Sequence, residues 1–330
     1  IMYLGTQFAA RTDADYETFK QLGVNNINGF PDVQHQKWTV ENLIQYREKV
    51  ESFGLNLDMV QLPLSSADID TRVKNGEFYN ILTGTSPERD YEIERICEII
   101  SMCSDAGIPA VKYNLNIIGI PRTKSEFGRG GAKLSTFRWD EADKNAPDTY
   151  AGKVSEDVFW ERIDYFLDKV VPVAEEKKVR LACHPHDPYT PPGYKGVTRV
   201  LGTVEGLKKF ISIRENEYHG LNFCQGTITE MMDNPGEEIF DVIRYFGNKN
   251  KIFNVHFRNI KGNKLSFTEV FPDEGSINMY EAIKVYKEVN YKYMLMPDHV
   301  PQINAKDPKM TAFSYCYGYI NALLQSIENV

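Results

Sequence analysis

Two histidines, an aspartate and a cysteine stand within five consecutive positions of LACHPHDPY (181–189): Cys183, His184, His186 and Asp187. Side chains of these types ligate divalent metals and move protons near neutral pH. Further along, NFCQG (222–226) adds Cys224, VHFRN (255–259) adds His256 and Arg258, and MPDH (296–299) adds Asp298 and His299. Two imidazoles, a thiolate and a carboxylate would make a divalent-metal site, for which ligand softness alone favours zinc over manganese. Singly, each residue has a plainer role: a buried cysteine is usually a small hydrophobe, and a histidine or aspartate at a strand end is usually a hydrogen-bonded or capping group. Only joint placement makes them a site.

Each of these stretches lies at the end of a short β-type run. Such runs occur at 2–8, 24–30, 55–63, 109–115, 179–185, 220–226, 251–257 and 293–299. Between them lie longer segments, such as 39–54, 90–107, 155–178 and 279–290, with apolar residues at three- and four-residue spacing. Eight alternating units without a composition break predict an α/β protein with a single (β/α)8 TIM-barrel domain over 1–330. Such a barrel needs about 250 residues, so loops account for the surplus. The longest, 116–154 after the fourth strand, is expected to be an active-site loop insertion. A doubly wound open sheet is the rival, weakened by the absence of a GxGxxG turn.

Side chains alternate across a strand, so parity sorts barrel interior from exterior. In VRLACH, Leu181 and Cys183 belong against helices, leaving Ala182 and His184 inward. Asn222 and Cys224 face inward in GLNFCQ. In KIFNVHF the outer face is Phe253, Val255 and Phe257, which turns Asn254 and His256 in, while Met294, Met296 and Asp298 share a face. His184, Cys224, His256 and Asp298 thus arrive at the C-terminal ends of strands five to eight, the rim where such barrels place active sites.

Other polar groups are candidates for substrate contact. Lys112 and Asn114 share the inward face of VKYN, and a lysine inside a barrel requires a partner or an anionic substrate. Arg258, Arg199 and Arg122 could each grip a carboxylate. His299 suits proton transfer or support of the adjoining aspartate. His186 and Asp187 lie just beyond their strand and could touch substrate. His35 and His219 read as ordinary surface residues.

A net charge of −8 and a pI near 5.4 weigh against a nucleic-acid partner. No apolar run approaches the roughly 18 residues of a membrane span. The apolar start lacks the basic lead of a signal peptide. Five scattered cysteines are not a disulfide framework, so a reducing, cytoplasmic setting is expected.

Taken in order and spacing, HPHDP, NFCQG, VHFRN, FTEVFPDEGSINMYE (267–281) and MPDH resemble the metal-dependent mannonate dehydratases of the xylose-isomerase-like barrel superfamily. The resemblance runs over most of the chain and is strongest from residue 180 onward. It implies a manganese-type cation, with Zn2+, Co2+ or Fe2+ as alternatives, held by the His of HPxDP, the Cys of FCxG, the His of HxRN and the Asp of PDH. These are His184, Cys224, His256 and Asp298, the set that parity selects, and the family's manganese displaces the zinc that softness favours. It also implies proton transfer by His299. The chain departs from the family at several motifs. HPDDP has His186 at its third position, an RWYG-like motif is replaced by YLGTQ, and a DWTRTDL-like segment by NIIGIPRTKSE. A family tyrosine falls at Phe313, which leaves Tyr315 and Tyr317 as the nearby catalytic candidates.

The expected reaction is a hydro-lyase step of hexuronate catabolism: water leaves a sugar acid, D-mannonate or a related hexonate, to give a 2-keto-3-deoxy acid. A proton next to a carboxylate is weakly acidic, so the developing enediolate needs a metal to stabilise it, with one group to take the α-proton and another to protonate the departing hydroxyl. A metal-dependent sugar isomerase, epimerase or keto-sugar eliminase would use the same cation on a carbonyl, and a sugar-binding barrel would use it for stability alone. Each takes a small-molecule sugar or sugar acid, and a homo-oligomer, dimer or tetramer, is expected.

Overall fold

Among the described residues, 1–328 of a computed structural model, eight short parallel strands close into a barrel. They are β1 (Tyr3–Thr6), β2 (Asn26–Gly29), β3 (Asn56–Gln61), β4 (Ala110–Asn114), β5 (Arg180–His184), β6 (His219–Cys224), β7 (Ile252–His256) and β8 (Met294–Met296). Each pairs with its neighbours in sequence, and β8 closes on β1 through Tyr3 opposite Met294 and Leu4 opposite Leu295. Every expected β-type run overlaps one of these strands, the sixth of which starts one residue earlier, at His219. Where β5 and β8 stop, the next residue is Pro185 or Pro297, which has no N–H to give the ladder.

Helices lie between the strands, started by local chemistry. Thr39 accepts from the Asn42 amide, and the Asn42 side chain returns to the Thr39 N–H, which opens the helix Val40–Ser52. Ser155 caps Glu156–Lys177, whose buried stripe Phe159, Ile163, Phe166, Val170 and Ala174 follows the helical period. Each large apolar side chain buried in this way contributes roughly 1.5–3 kcal/mol. No helix among the described residues is long and apolar enough to cross a membrane.

The barrel interior shows where strict alternation fails. Met59, Ala110, Ala182, Phe253, Met294 and Met296 form an inner cluster, separate from the larger core between strands and helices. Phe253, expected outside by parity, is inside, because the β6–β7 register shifts between Ile252 and Asn254. Gly220 makes room for it: a Cβ there would stand 2.6 Å from Phe253 Cε2. Beyond the shift the alternation resumes, with Val255 and Phe257 packed in the outer core.

The 116–154 segment carries a small paired turn, Glu126–Phe127 with Lys133–Leu134, and the strand Thr136–Arg138. That strand adds to a hairpin, Ile260–Asn263 and Ser266–Glu269, from the loop after β7. A three-stranded sheet built from two loops therefore stands at the C-terminal end of the barrel.

Candidate metal centre and adjoining cavity

His184, Cys224 and His256 each end a strand, and Asp298 follows β8 across Pro297. Cys224 pairs with His256, and His256 with Met296, so the side chains emerge at one level. One donor atom from each of the four residues lies within 4.8 Å of the others. Cys224 Sγ is 3.6 Å from Asp298 Oδ2, and His256 Nδ1 is 3.5 Å from the same oxygen.

The donor set suits a divalent cation. His184 Nδ1 sits 2.6 Å from the Pro185 carbonyl oxygen and donates to it, which leaves the Nε2 lone pair free. His256 is buried, yet neither ring nitrogen has a hydrogen-bond partner among the described residues, nor has Asp298 Oδ1. Such orphaned groups cost about 1–3 kcal/mol each, which a bound cation would offset. Burial lowers both imidazoles, His256 to about 4, so both are neutral at pH 7. Burial also pushes the Cys224 thiol far up, so its ionisation calls for a neighbouring cation. Burial works against the charge of Asp298, but Arg258 and the neighbouring histidines hold it well below the usual carboxylate range.

Behind this cluster lies a buried ion-pair network. Arg258 Nη2 is 3.1 Å from Asp187 Oδ2 and 3.0 Å from Glu230 Oε2, its Nε is 3.5 Å from Asp298 Oδ1, and its Nη1 contacts Glu269. Arg122, from the insertion, joins Asp187 Oδ1 at 2.8 Å to Glu269 Oε1 at 3.1 Å. Burial, then Asp187, raises the Glu230 carboxyl well above its ordinary range, against the pull of Arg258 and Arg122. His299 Nδ1 stands 2.6 Å from Glu269 Oε1.

A cavity of about 290 Å³ opens over the cluster, lined by His184, His256, Asp298 and His299 on one side and by Gln7, Gln61, Lys112 and Asn114 on the other. Lys112 Nζ donates to Gln7 Oε1 at 3.0 Å. Burial lowers its ammonium to about 8, so it stays mostly cationic at pH 7. At the mouth, Lys309 Nζ lies 4.9 Å from the Phe8 ring and 5.9 Å from that of Phe313.

Several expected substrate contacts are elsewhere. His186 does not line the cavity: its Nε2 is 2.7 Å from the Leu115 carbonyl oxygen, its Nδ1 accepts the Leu201 amide at 3.1 Å, and it is buried. Arg199 is consumed by Asn116 Oδ1 and by the Gly119 and Pro188 carbonyls. Arg258 and Arg122 are held in the network behind the site. Tyr317 is buried against Thr6, 2.6 Å between hydroxyls, and Tyr315 is exposed at the surface, edge-on to Phe271, so neither reaches the cavity that Phe313 lines. His219, expected at the surface, is fully buried, with Nε2 2.8 Å from the Phe210 carbonyl oxygen. Sequence reasoning missed Gln7, Gln61, Glu230 and Lys309. It quoted Glu269 only inside a motif, where an acid beside aromatic and β-branched residues looks like an ordinary strand position.

The sequence model described as UxuA, D-mannonate dehydratase, matches residues 132–330. Among curated proteins, the mannonate dehydratase of Thermotoga petrophila is 28% identical over 321 residues, covering 86% of this chain and 84% of that protein. The Streptococcus pneumoniae mannonate dehydratase is 26% identical over 324 residues, covering 88% and 83%. The crystal structure of mannonate dehydratase from Streptococcus suis superposes with a TM-score of 0.83 at 24% identity, over 98% of this chain and 93% of that one. A D-psicose 3-epimerase structure superposes with a TM-score of 0.62 at 13% identity, over 97% and 98%, a likeness of fold.

Proposed function

The chain belongs to the D-mannonate dehydratase family, and from that premise we propose that it removes water from D-mannonate or a closely related hexonate to give a 2-keto-3-deoxy acid. In this reading His184, Cys224, His256 and Asp298 hold a divalent metal, Mn2+ in the first instance. One observation carries it: four metal-competent side chains from consecutive strands bring their donor atoms within 4.8 Å at the base of a polar cavity. A cation there supplies Lewis-acid stabilisation of the charge that develops on the carboxylate and the adjoining oxygen.

The protein's own groups do the rest. Lys112, cationic and without an ion-pair partner among the described residues, binds the carboxylate end in place of the committed arginines. Asn114 and Gln61 offer hydrogen bonds to hydroxyls. His299 takes the α-proton. With Tyr315 and Tyr317 out of reach, the groups left to protonate the departing hydroxyl are His299, once loaded with the α-proton, and Lys112. The 116–154 insertion helps to wall the site through Asn116 and Ile120. A cytoplasmic homo-oligomer, dimer or tetramer, completes the reading, and light scattering measures the assembly.

The test is metal analysis, then incubation with Mn2+ and a panel of hexonates, uronates and keto-sugars, following 2-keto-3-deoxy acids by NMR. D-Mannonate or an epimer should give such a product. Epimerisation of a neutral ketose with no product from any hexonate would overturn the dehydratase reading in favour of an epimerase.

A further inference from the structure

We infer that Glu269 is a positioning residue for His299: it fixes the imidazole with its proton on Nδ1 and a bare Nε2 available to the cavity. The inference rests on the reading of that cavity as the dehydratase site. The 2.6 Å separation of Nδ1 from Oε1 needs one proton between the two atoms, since facing lone pairs at that distance repel. Two guanidinium groups, Arg122 and Arg258, converge on that same Oε1, and an oxygen that accepts from both is the acceptor facing Nδ1 and not an O–H donor. The proton therefore belongs to Nδ1. Arg258 Nη1 lies 2.7 Å from the same nitrogen, but a protonated Nδ1 has no lone pair to offer, so that guanidinium hydrogen goes to the carboxylate.

The carboxylate is itself held in place. Glu269 is 2% exposed and ends the strand Ser266–Glu269, which pairs with Thr136–Arg138 of the insertion, and its amide donates to the Ser135 carbonyl at 2.8 Å. Arg122, from the same insertion, bridges it to Asp187. The His299 side chain is 37% exposed and would otherwise be free to turn. Two loops with no ligand of their own thus set the tautomer and angle of the base.

Long-range 1H–15N correlation of the Zn2+-loaded protein, with His299→Gln to assign the resonance, reads the tautomer directly. We expect the proton on Nδ1 in the wild type and its loss from Nδ1 in Glu269→Gln, whose amide can donate to that nitrogen. In the Mn2+ enzyme, Glu269→Gln should lower kcat by about 10²-fold or more, the usual scale for a mis-set general base, with KM and metal content little changed. Glu269→Asp should recover part of the rate. A wild-type His299 protonated on Nε2, or a Glu269→Gln kcat within about 3-fold of wild type, would overturn the inference. If the wild type dehydrates no hexonate, the functional reading fails, while the tautomer measurement still decides the role of Glu269.

Discussion

Replacing His186 with phenylalanine separates two roles for the residue that departs from the family pattern. If its ring tied the chain together, the loss would appear in stability; if it touched substrate, the loss would appear in KM. The structure favours the first. Phenylalanine keeps the ring beside Phe159, 5.1 Å between centroids, so little cavity forms. It leaves the Leu115 carbonyl and the Leu201 amide without their partner. Each buried backbone group left unsatisfied costs about 1–3 kcal/mol, so the variant should lose roughly 2–6 kcal/mol, a large part of the 5–15 kcal/mol typical of a native protein. Glutamine, which can both donate and accept, should lose less. Urea unfolding followed by circular dichroism at pH 7.5 gives the stabilities, and KM for a hexonate is measured on the same preparations. A phenylalanine variant within about 1 kcal/mol of wild type but with a raised KM would show that His186 contacts substrate and that its backbone bonds count for little.

Three further outcomes are expected. Burial lowers the His219 imidazole from an ordinary 6.5 to about 4. Above pH 6.5 it is neutral folded or unfolded, and below that the unfolded chain binds the proton first, so stability is lost as pH falls from 6.5 towards 4, by roughly 3 kcal/mol in all. The unfolding free energy of wild type relative to His219→Gln should accordingly drop by about 2 kcal/mol between pH 7 and 5, and a pH-independent difference would refute this. Cys224→Ser should retain at least about 10-fold less divalent metal after gel filtration, whereas unchanged metal content would remove Cys224 from the ligand set. Lys112→Met should lower kcat/KM for a hexonate by about 10- to 100-fold, the worth of one charge-assisted hydrogen bond; equal activity would move the carboxylate elsewhere.

Residues governed by strand periodicity were legible in the sequence, and residues governed by tertiary contact were not. His184, Cys224 and His256 lie where alternation puts them, because register ties each to its neighbour on the next strand. Phe253 escaped the same rule through a shift in the β6–β7 ladder, which a single sequence does not reveal. The partners of the arginines were hidden for a different reason. A guanidinium near a catalytic motif can bind substrate or neutralise buried acids, and the choice depends on acids far away in sequence, such as Glu269 for Arg122, 147 residues on. Tyr315 and Tyr317 were drawn in by proximity to Phe313, but along the helix Pro308–Glu328 Tyr315 stands about 200° round from Phe313, and Tyr317, one turn on and packed against the Phe313 ring, spends its hydroxyl on Thr6.

The charges around the site account for why lysine, and not arginine, is left for the substrate. Asp187, Glu230, Glu269 and Asp298 crowd around Arg122 and Arg258, so the acids outnumber the guanidiniums that bridge them. Negative charge is left over in a buried region, and a Cys224 thiolate would add to it. A divalent cation on the four donors offsets that charge, and compensation of this kind is what makes a buried network of charges tolerable. Had either arginine been free to leave its acids for a substrate carboxylate, the balance would fail each time the cavity emptied. Lys112 makes no ion pair with these acids: it is bonded to the neutral Gln7 amide, and with Asp298 and Cys224 opposing the effect of burial it retains its positive charge at pH 7. The charge left for an incoming ligand is therefore positive and on the cavity floor, where it matches the single carboxylate of a hexonate and has no counterpart in a neutral sugar.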